Sequence, residues 1–304
     1  MKTSLCQLLN WIRWRNLLII SITLAFIRYG LIAPALQEEG ILLQLSPLSF
    51  VLLTSVTVLI TFGGYVINDI FDQITDAQNK PKKQVIGKWI SLGQAKAVYM
   101  VVSFLGFFIS IYLAWAENKW EWLWIYPLAV MLLWWYSKKL KGTVLLGNIL
   151  VSIFCSGVAL LIPFSEMETI GQMKGGQTTM LILYFYAGFA GLSNLFREII
   201  KDAEDIEGDR LAGIKTLAVK YGTGASRSWA ISIGLILAFG LMQFYIEVKD
   251  TSTWASAFFY LTVPLLVAIL VALTPKLSFI KWGKLSLLSK YLMLGGLLGM
   301  LLLV

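Results

Sequence analysis

The residues of this sequence that could do chemistry are aspartates arranged in two matching rows. Each row has aspartates at positions i, i+3 and i+7, and each follows a long apolar stretch. The two rows are Asp69, Asp72 and Asp76, then Asp202, Asp205 and Asp209. Positions with this spacing lie on one face of a helix. Each row therefore presents three neighbouring carboxylates if the helix before it continues through the row.

Carboxylates gathered in this way need a positive partner. Two of them one helical turn apart repel each other by roughly 3 kcal/mol at an effective dielectric constant of about 20, and the negative end of the helix dipole adds to the repulsion. Mg²⁺ takes oxygen ligands and commonly bridges one or two carboxylates to substrate phosphates. The rows therefore predict a Mg²⁺ cofactor and a diphosphate-bearing substrate held between two rows that face each other.

Departure of diphosphate from a prenyl chain is the reaction that this arrangement favours. An allylic diphosphate leaves when metal ions and Lys or Arg neutralise its oxygens, and an acceptor then attacks the allylic cation. This reaction needs no covalent nucleophile, which agrees with a sequence that has no histidine and only two cysteines. The predicted partners are a prenyl diphosphate donor, a hydrophobic or amphipathic acceptor and membrane lipid.

The aspartates also allow three roles besides catalysis. They could be solvated loop charges that balance nearby lysines, a Ca²⁺ loop, or the ion site of a cation-coupled transporter. The sequence lacks the Gly and Glu positions that a Ca²⁺ loop requires. A transporter predicts acidic residues near the bilayer midplane and interrupted helices there, whereas these acids follow the apolar stretches.

Composition indicates that membrane-spanning helices carry these rows. Apolar residues make up 58% of the 304 positions and charged residues 14%, whereas soluble domains have about 25% charged residues. A spanning helix needs about 20 mainly apolar residues. Nine stretches qualify, at 15–36, 48–68, 95–115, 120–136, 143–163, 177–196, 228–246, 254–274 and 285–304. We expect an all-α polytopic membrane protein with nine transmembrane helices, folded as one domain over 1–304, with a pseudo-repeat of helices 1–4 and 5–8.

The basic residues predict the orientation of these helices. Lys and Arg concentrate in alternate connections, and the intervening connections hold only Lys119, Lys174 and Lys249. Because basic connections stay in the cytoplasm, we expect a cytoplasmic membrane protein with its N-terminus and both aspartate rows on the cytoplasmic side. The net charge of +8 follows from this topology, with some attraction to anionic lipids and substrates. We expect no nucleic-acid partner and no obligate protein partner.

Three basic positions each allow two interpretations. Arg28 lies inside the first apolar stretch, where a charge is costly. We expect it either to pair structurally or reach water, or to contact an anionic headgroup or acceptor phosphate. Lys141 belongs to a basic loop that topology explains, but it is also a candidate ligand of a phosphate. Lys80, beside Pro81, belongs either to the topological signal or to a lid that closes over the substrate.

Both aspartate rows lie inside longer motifs. The first runs from Asn68 to Asp76 and is followed by Asn79-Lys80-Pro81, and the second runs from Arg197-Glu198-x-x-Lys201-Asp202 to Gly208-Asp209. Together they resemble the paired motifs of the UbiA superfamily of membrane prenyltransferases, and most closely its digeranylgeranylglyceryl phosphate synthase branch. The resemblance covers nearly the whole chain and extends to Arg13, Asn16, Tyr136, Lys141 and Asn148.

The resemblance implies nine helices around a central cavity that opens to lipid. It implies a metal and diphosphate site at the cytoplasmic end, made by Asn68, Asp69, Asp72, Asp76, Asp202, Asp205 and Asp209. We expect substrate contacts from Arg13, Asn16, Arg28, Asn68, Lys80, Tyr136, Lys141, Asn148, Arg197 and Lys201. The expected acceptor is geranylgeranylglyceryl phosphate. The aromatic branches, which prenylate 4-hydroxybenzoate or dihydroxynaphthoate, share the aspartate motifs and provide the alternative.

Overall fold

The computed structural model describes residues 5–73, 84–249, 255–274 and 281–301. These residues are mostly helical, and no strand forms among them. The α-helices are α1 (Leu5–Ile12), α2 (Trp14–Phe26), α3 (Ala33–Glu38), α4 (Pro47–Phe71), α5 (Leu92–Ala116), α6 (Ile125–Lys138), α7 (Leu146–Ser165), α8 (Met167–Gln172), α9 (Gly176–Glu204), α10 (Ile206–Leu211), α11 (Leu217–Val248), α12 (Ala255–Ala272) and α13 (Trp282–Leu301). A π-helical turn, Ile27–Ile32, joins α2 to α3. The predicted all-α class is confirmed.

Several of these helices are long and apolar enough to cross a membrane. In the described part of the chain there are six: Trp14–Glu38, Pro47–Phe71, Leu92–Ala116, Leu146–Ser165, Gly176–Glu204 and Leu217–Glu247. Each of the nine predicted stretches overlaps a described helix. The protein is therefore a multi-pass membrane protein, whereas the number of nine spanning helices stays a prediction.

Local sequence explains where the helix of the first aspartate row begins and ends. Ser46 caps α4, because its hydroxyl accepts a hydrogen bond from the Ser49 N–H at 3.0 Å. Pro47 follows at the first helical position, where a missing N–H costs no hydrogen bond. The helix ends at Phe71, with Asp72 at the C-cap. Asp69 therefore lies on the last turn of α4.

The chain divides into two compact units, and the first contains Met1–Ile22 and Leu45–Leu140. Within it, α4 packs against α5 and α6. A side chain added at Gly64 would place its Cβ 3.1 Å from Leu133, so this glycine permits close packing. The Tyr126 hydroxyl donates to the Ser103 carbonyl at 2.6 Å, which fixes α6 against α5.

The second unit contains Thr23–Gln44 and Lys141–Val304, and α9 is its long helix Gly176–Glu204. This helix packs against α7, α11 and α13. Aromatic rings also pack within this unit, including Phe185 and Phe244, whose rings stack with centres 4.0 Å apart. The α11 helix bends at Gly222, where φ is 83°, a backbone conformation that glycine adopts at little cost. The packed core supports α9, which carries the start of the second aspartate row.

Candidate active site

The first aspartate row begins at the end of α4. Asp72 is buried at the C-cap and accepts a hydrogen bond from Asn68 Nδ2 at 2.7 Å. The Asp72 N–H donates back to the Asn68 carbonyl at 2.9 Å. Asn68 therefore orients one oxygen of a carboxylate at a helix end where the dipole opposes negative charge. Asp76, the third member of the row, lies outside the described residues, and so does Lys80.

Arg13 is bound to Asp69, the first carboxylate of this row. Its Nη2 donates to Asp69 Oδ1 at 2.7 Å, and its guanidinium lies 4.5 Å from the centre of the Tyr65 ring. Arg13 occupies the junction between α1 and α2, where its φ is 55°. Asn16 donates to the Tyr65 hydroxyl at 3.2 Å. Arg13 and Asn16 are predicted substrate contacts, and the structure adds that Arg13 orients an expected metal ligand.

The second aspartate row is divided between two helices. Asp202 lies on the last turn of α9, Asp209 lies on α10, and Asp205 joins them with φ −90° and ψ 8°. The prediction that all three carboxylates lie on one helix face requires a continuous straight helix. The observed row instead bends at Asp205. The Asp205 N–H still donates to the Lys201 carbonyl at 2.9 Å, and the Asp209 N–H donates to the Asp205 carbonyl at 3.0 Å. Helical hydrogen bonding therefore continues through the bend.

Asn148 orients Asp202 from a neighbouring helix. It lies in the first turn of α7, and its Nδ2 donates to Asp202 Oδ2 at 2.8 Å. The two helices approach closely because Gly191 of α9 has no side chain. A Cβ there would collide with Ser156 Oγ and lie 3.1 Å from the Ser152 carbonyl. Sequence reasoning predicted Asn148 as a substrate contact, and the structure shows it bound to a carboxylate of the row.

Two predicted cations and one unpredicted carboxylate lie just before Asp202. Arg197 Nη1 donates to Glu198 Oε1 at 2.7 Å, and Lys201 Nζ lies 3.8 Å from Glu198 Oε2. Arg197 Nε is buried and makes no hydrogen bond within the described residues. Sequence reasoning missed a role for Glu198. Its position four residues before Asp202 was the available signal, since this spacing places two side chains on the same helix face.

Arg28 is paired inside the second unit. It is 1% exposed on the π-helical turn, and its Nη1 lies 3.0 Å from Oε1 of Glu166, which is 0% exposed. Glu166 Oε2 accepts from the Gln44 N–H at 2.7 Å and from the Thr169 hydroxyl at 3.1 Å. A buried carboxylate with several donors is a suitable partner for a buried guanidinium. Of the two interpretations of Arg28, structural pairing is the one that this geometry favours.

Two further predicted substrate contacts lie at the connection between α6 and α7. Tyr136 is near the end of α6, and Lys141 is in the turn Leu140–Gly142. Both side chains are partly exposed. Their roles in binding substrate stay predictions.

Comparison with protein families and curated proteins gives consistent matches. The model of the UbiA prenyltransferase family matches residues 12–286. The digeranylgeranylglyceryl phosphate synthase of Korarchaeum cryptofilum is 31% identical over 252 residues, which cover 80% of this chain and 82% of that protein. The synthase of the same name from Saccharolobus solfataricus is 35% identical over 211 residues, 64% of this chain and 66% of that protein.

Solved structures show the same fold. One that concerns digeranylgeranylglyceryl phosphate synthase in membranes has a TM-score of 0.70 and 25% identity, and the match covers 98% of both chains. A UbiA homolog from Archaeoglobus fulgidus bound to DMAPP and Mg²⁺ has a TM-score of 0.58 at 15% identity, covering 96% of this chain and 98% of that chain. Because its identity is only 15%, the Archaeoglobus fulgidus structure supports the fold alone.

Proposed function

Because this chain belongs to the UbiA prenyltransferase family, we propose that it moves a geranylgeranyl group from geranylgeranyl diphosphate to the hydroxyl of geranylgeranylglyceryl phosphate. The observation that carries the choice of acceptor is the name shared by its curated relatives. The aspartate motifs carry the choice of donor, since they are suited to a diphosphate. In the reaction, the bond between prenyl C1 and the diphosphate oxygen breaks and the diphosphate leaves with the electron pair. The acceptor oxygen then attacks C1 and its proton is released.

The donor atoms of the two rows suit Mg²⁺, because they are carboxylate and amide oxygens. Within the described residues no three acidic or cysteine side chains form a metal site by themselves. A Mg²⁺ ion usually takes only one or two carboxylates and completes its shell with water and substrate phosphates. The proposed ligands are Asn68, Asp69, Asp72, Asp76, Asp202, Asp205 and Asp209. Bound there, Mg²⁺ would neutralise the diphosphate and make it a better leaving group.

Neighbouring side chains orient three of the proposed metal-binding carboxylates. Arg13 orients Asp69 and Asn68 orients Asp72, while Asn148 orients Asp202. Ligands fixed by neighbouring hydrogen bonds hold a metal better than mobile ones, and loss of such a neighbour typically costs about 10–100-fold in metal affinity or activity.

Cationic side chains are proposed to bind the diphosphate directly. On the same helix, Lys201 directly precedes Asp202, and Arg197 lies five residues before it. The Nε of Arg197 is a buried donor without a hydrogen bond inside the described residues. A diphosphate oxygen is the acceptor that suits it, because guanidinium groups bind phosphate strongly. Lys141 and, outside the described residues, Lys80 are proposed to add positive charge.

The proposed orientation places the aspartate rows on the cytoplasmic side of the cytoplasmic membrane, with the N-terminus inside. It is supported by the concentration of Lys and Arg in alternate connections. With nine spanning helices, the C-terminus lies outside. A periplasmic-active reporter enzyme fused after Val304 is then expected to be active, and an inactive but stable fusion would reverse the orientation.

Incubation with defined acceptors tests the proposed function. Membranes containing the protein receive labelled geranylgeranyl diphosphate, Mg²⁺ and either geranylgeranylglyceryl phosphate or 4-hydroxybenzoate. We expect a labelled product only with the glyceryl ether phosphate. A product only with the aromatic acid would refute the acceptor and keep the reaction class, whereas no product with either acceptor would refute the proposed function.

A further inference from the structure

Glu198 makes two contacts that tie together the two proposed diphosphate-binding cations. One carboxylate oxygen accepts from Arg197 Nη1 at 2.7 Å, and the other lies 3.8 Å from Lys201 Nζ. The side chains of Arg197 and Glu198 are 23% and 21% exposed, and that of Lys201 is 41% exposed. These are partly shielded ion pairs, so they persist better than pairs on an open surface.

The contact with Arg197 requires the guanidinium to turn around the helix. Adjacent residues of a helix point in directions about 100° apart, and such neighbours do not normally face each other. Glu198 shares its helix face with Lys201 and Asp202, at spacings of three and four residues. A 2.7 Å contact with Glu198 therefore draws the Arg197 guanidinium toward the face that carries Asp202.

The Glu198 carboxylate is unfavourable for diphosphate binding in the proposed reaction. Its negative charge adds to a row that is already acidic and repels an incoming diphosphate. Its benefit is geometric, because it fixes two flexible cationic side chains before the ligand arrives. Side chains that must become ordered during binding lower the affinity for the ligand.

We infer that Glu198 is a positioning residue of the diphosphate site, which pre-orients Arg197 and Lys201 toward the donor's diphosphate. The inference rests on the proposed function, because it assigns Glu198 to the same site. The positioning role predicts a change in diphosphate affinity that is opposite in direction to the change expected from charge alone. Loss of the Glu198 charge alone would strengthen diphosphate binding, whereas loss of the positioning weakens it.

The test compares Glu198→Gln with the wild-type protein. We expect the KM for geranylgeranyl diphosphate to rise about tenfold and kcat to change by less than about threefold. Because KM equals an affinity only when chemistry is slow, binding of inorganic pyrophosphate with Mg²⁺ is also measured by calorimetry, where a similar weakening is expected. Glu204→Gln is the matched control, since this exposed carboxylate lies on the same helix but on another face.

A double-mutant cycle tests that Glu198 acts through Arg197. Once Arg197→Gln has removed the guanidinium, the added Glu198→Gln substitution is expected to raise the donor KM by much less than it does alone. Glu198→Asp, whose shorter carboxylate cannot reach both cations, is expected to fall between wild type and Glu198→Gln. It also keeps the test open if Glu198→Gln folds poorly.

The outcomes separate this inference from the proposed function. An unchanged or lower donor KM in an active Glu198→Gln protein overturns the positioning role and leaves the prenyl transfer standing. Additive effects of Arg197→Gln and Glu198→Gln also overturn it. A wild-type protein that transfers no prenyl group, but whose pyrophosphate binding weakens in Glu198→Gln, would refute the proposed function and retain the positioning role.

Discussion

Replacing Arg28 by Met is expected to destabilise the protein by about 3–5 kcal/mol, the usual cost of removing one partner of a buried ion pair. Arg28 and Glu166 are 1% and 0% exposed, and their charged atoms lie 3.0 Å apart. The substitution removes the guanidinium that pairs with Glu166 and leaves a carboxylate that is still fully buried. Gln44 and Thr169 still donate hydrogen bonds to Glu166. The expected destabilisation is therefore due to loss of the Arg28 charge.

Thermal unfolding in detergent micelles measures this effect. A loss of about 3–5 kcal/mol corresponds to a fall in Tm on the order of 10 °C for a protein of this size. Glu166→Gln is expected to lower Tm by a similar amount, since it leaves Arg28 without its negative partner. The double variant Arg28→Met with Glu166→Gln is expected to recover much of the loss, because no buried charge of this pair remains.

The competing role of Arg28 predicts a different result. If Arg28 binds the phosphate of the acceptor, Arg28→Met raises the acceptor KM and leaves Tm unchanged. Additive losses in the double variant would also contradict the pairing argument, because two independent sites add and a coupled pair does not.

Three other substitutions are expected to have measurable effects. Arg13→Gln removes a charge-assisted hydrogen bond to Asp69 worth about 1.5–3 kcal/mol, so kcat/KM is expected to fall roughly 10- to 100-fold; an unchanged value would show that Arg13 does not orient this ligand. Asn148→Ala is expected to raise the Mg²⁺ concentration for half-maximal activity about 10–100-fold, and an unaltered Mg²⁺ titration would refute its role toward Asp202. Gly191→Ala forces overpacking between α7 and α9 and is expected to cost about 1–3 kcal/mol, seen as a lower Tm, whereas an unchanged Tm would show that the interface adjusts freely.

The helices were predictable because their signal is local. Runs of about 20 apolar residues have few alternatives to a spanning helix, and each predicted stretch overlaps an observed one. The helix ends are less predictable: the apolar pattern predicts the sixth stretch at 177–196, whereas α9 continues to Glu204. Its polar last turns are helical because hydrogen bonds and packing continue there, a feature that an apolar window cannot detect. The π-helical turn at Ile27–Ile32 also left no mark on the apolar pattern.

The site was predictable in its residue types but not in its contacts. The repeated spacing identifies the aspartates, since chemistry restricts which side chains can hold a metal. The partners of those aspartates are distant in sequence: Asn148 and Asp202 are 54 residues apart, and Arg13 and Asp69 are 56 apart. Such pairs depend on helix packing, which one sequence does not specify. For this reason the sequence predicts only substrate contacts for Asn148 and Arg13, although each also orients a carboxylate.

Prenyl transfer by Asp72→Asn and Asp205→Asn, one variant in each aspartate row, tests the central claim most directly. Each substitution keeps the shape of the side chain and removes its negative charge. We expect each variant to lose transfer of the labelled geranylgeranyl group by membranes, with Tm near that of the wild type and Glu204→Gln fully active. Wild-type rates in both aspartate variants would contradict the claim that the two rows act on one diphosphate through Mg²⁺.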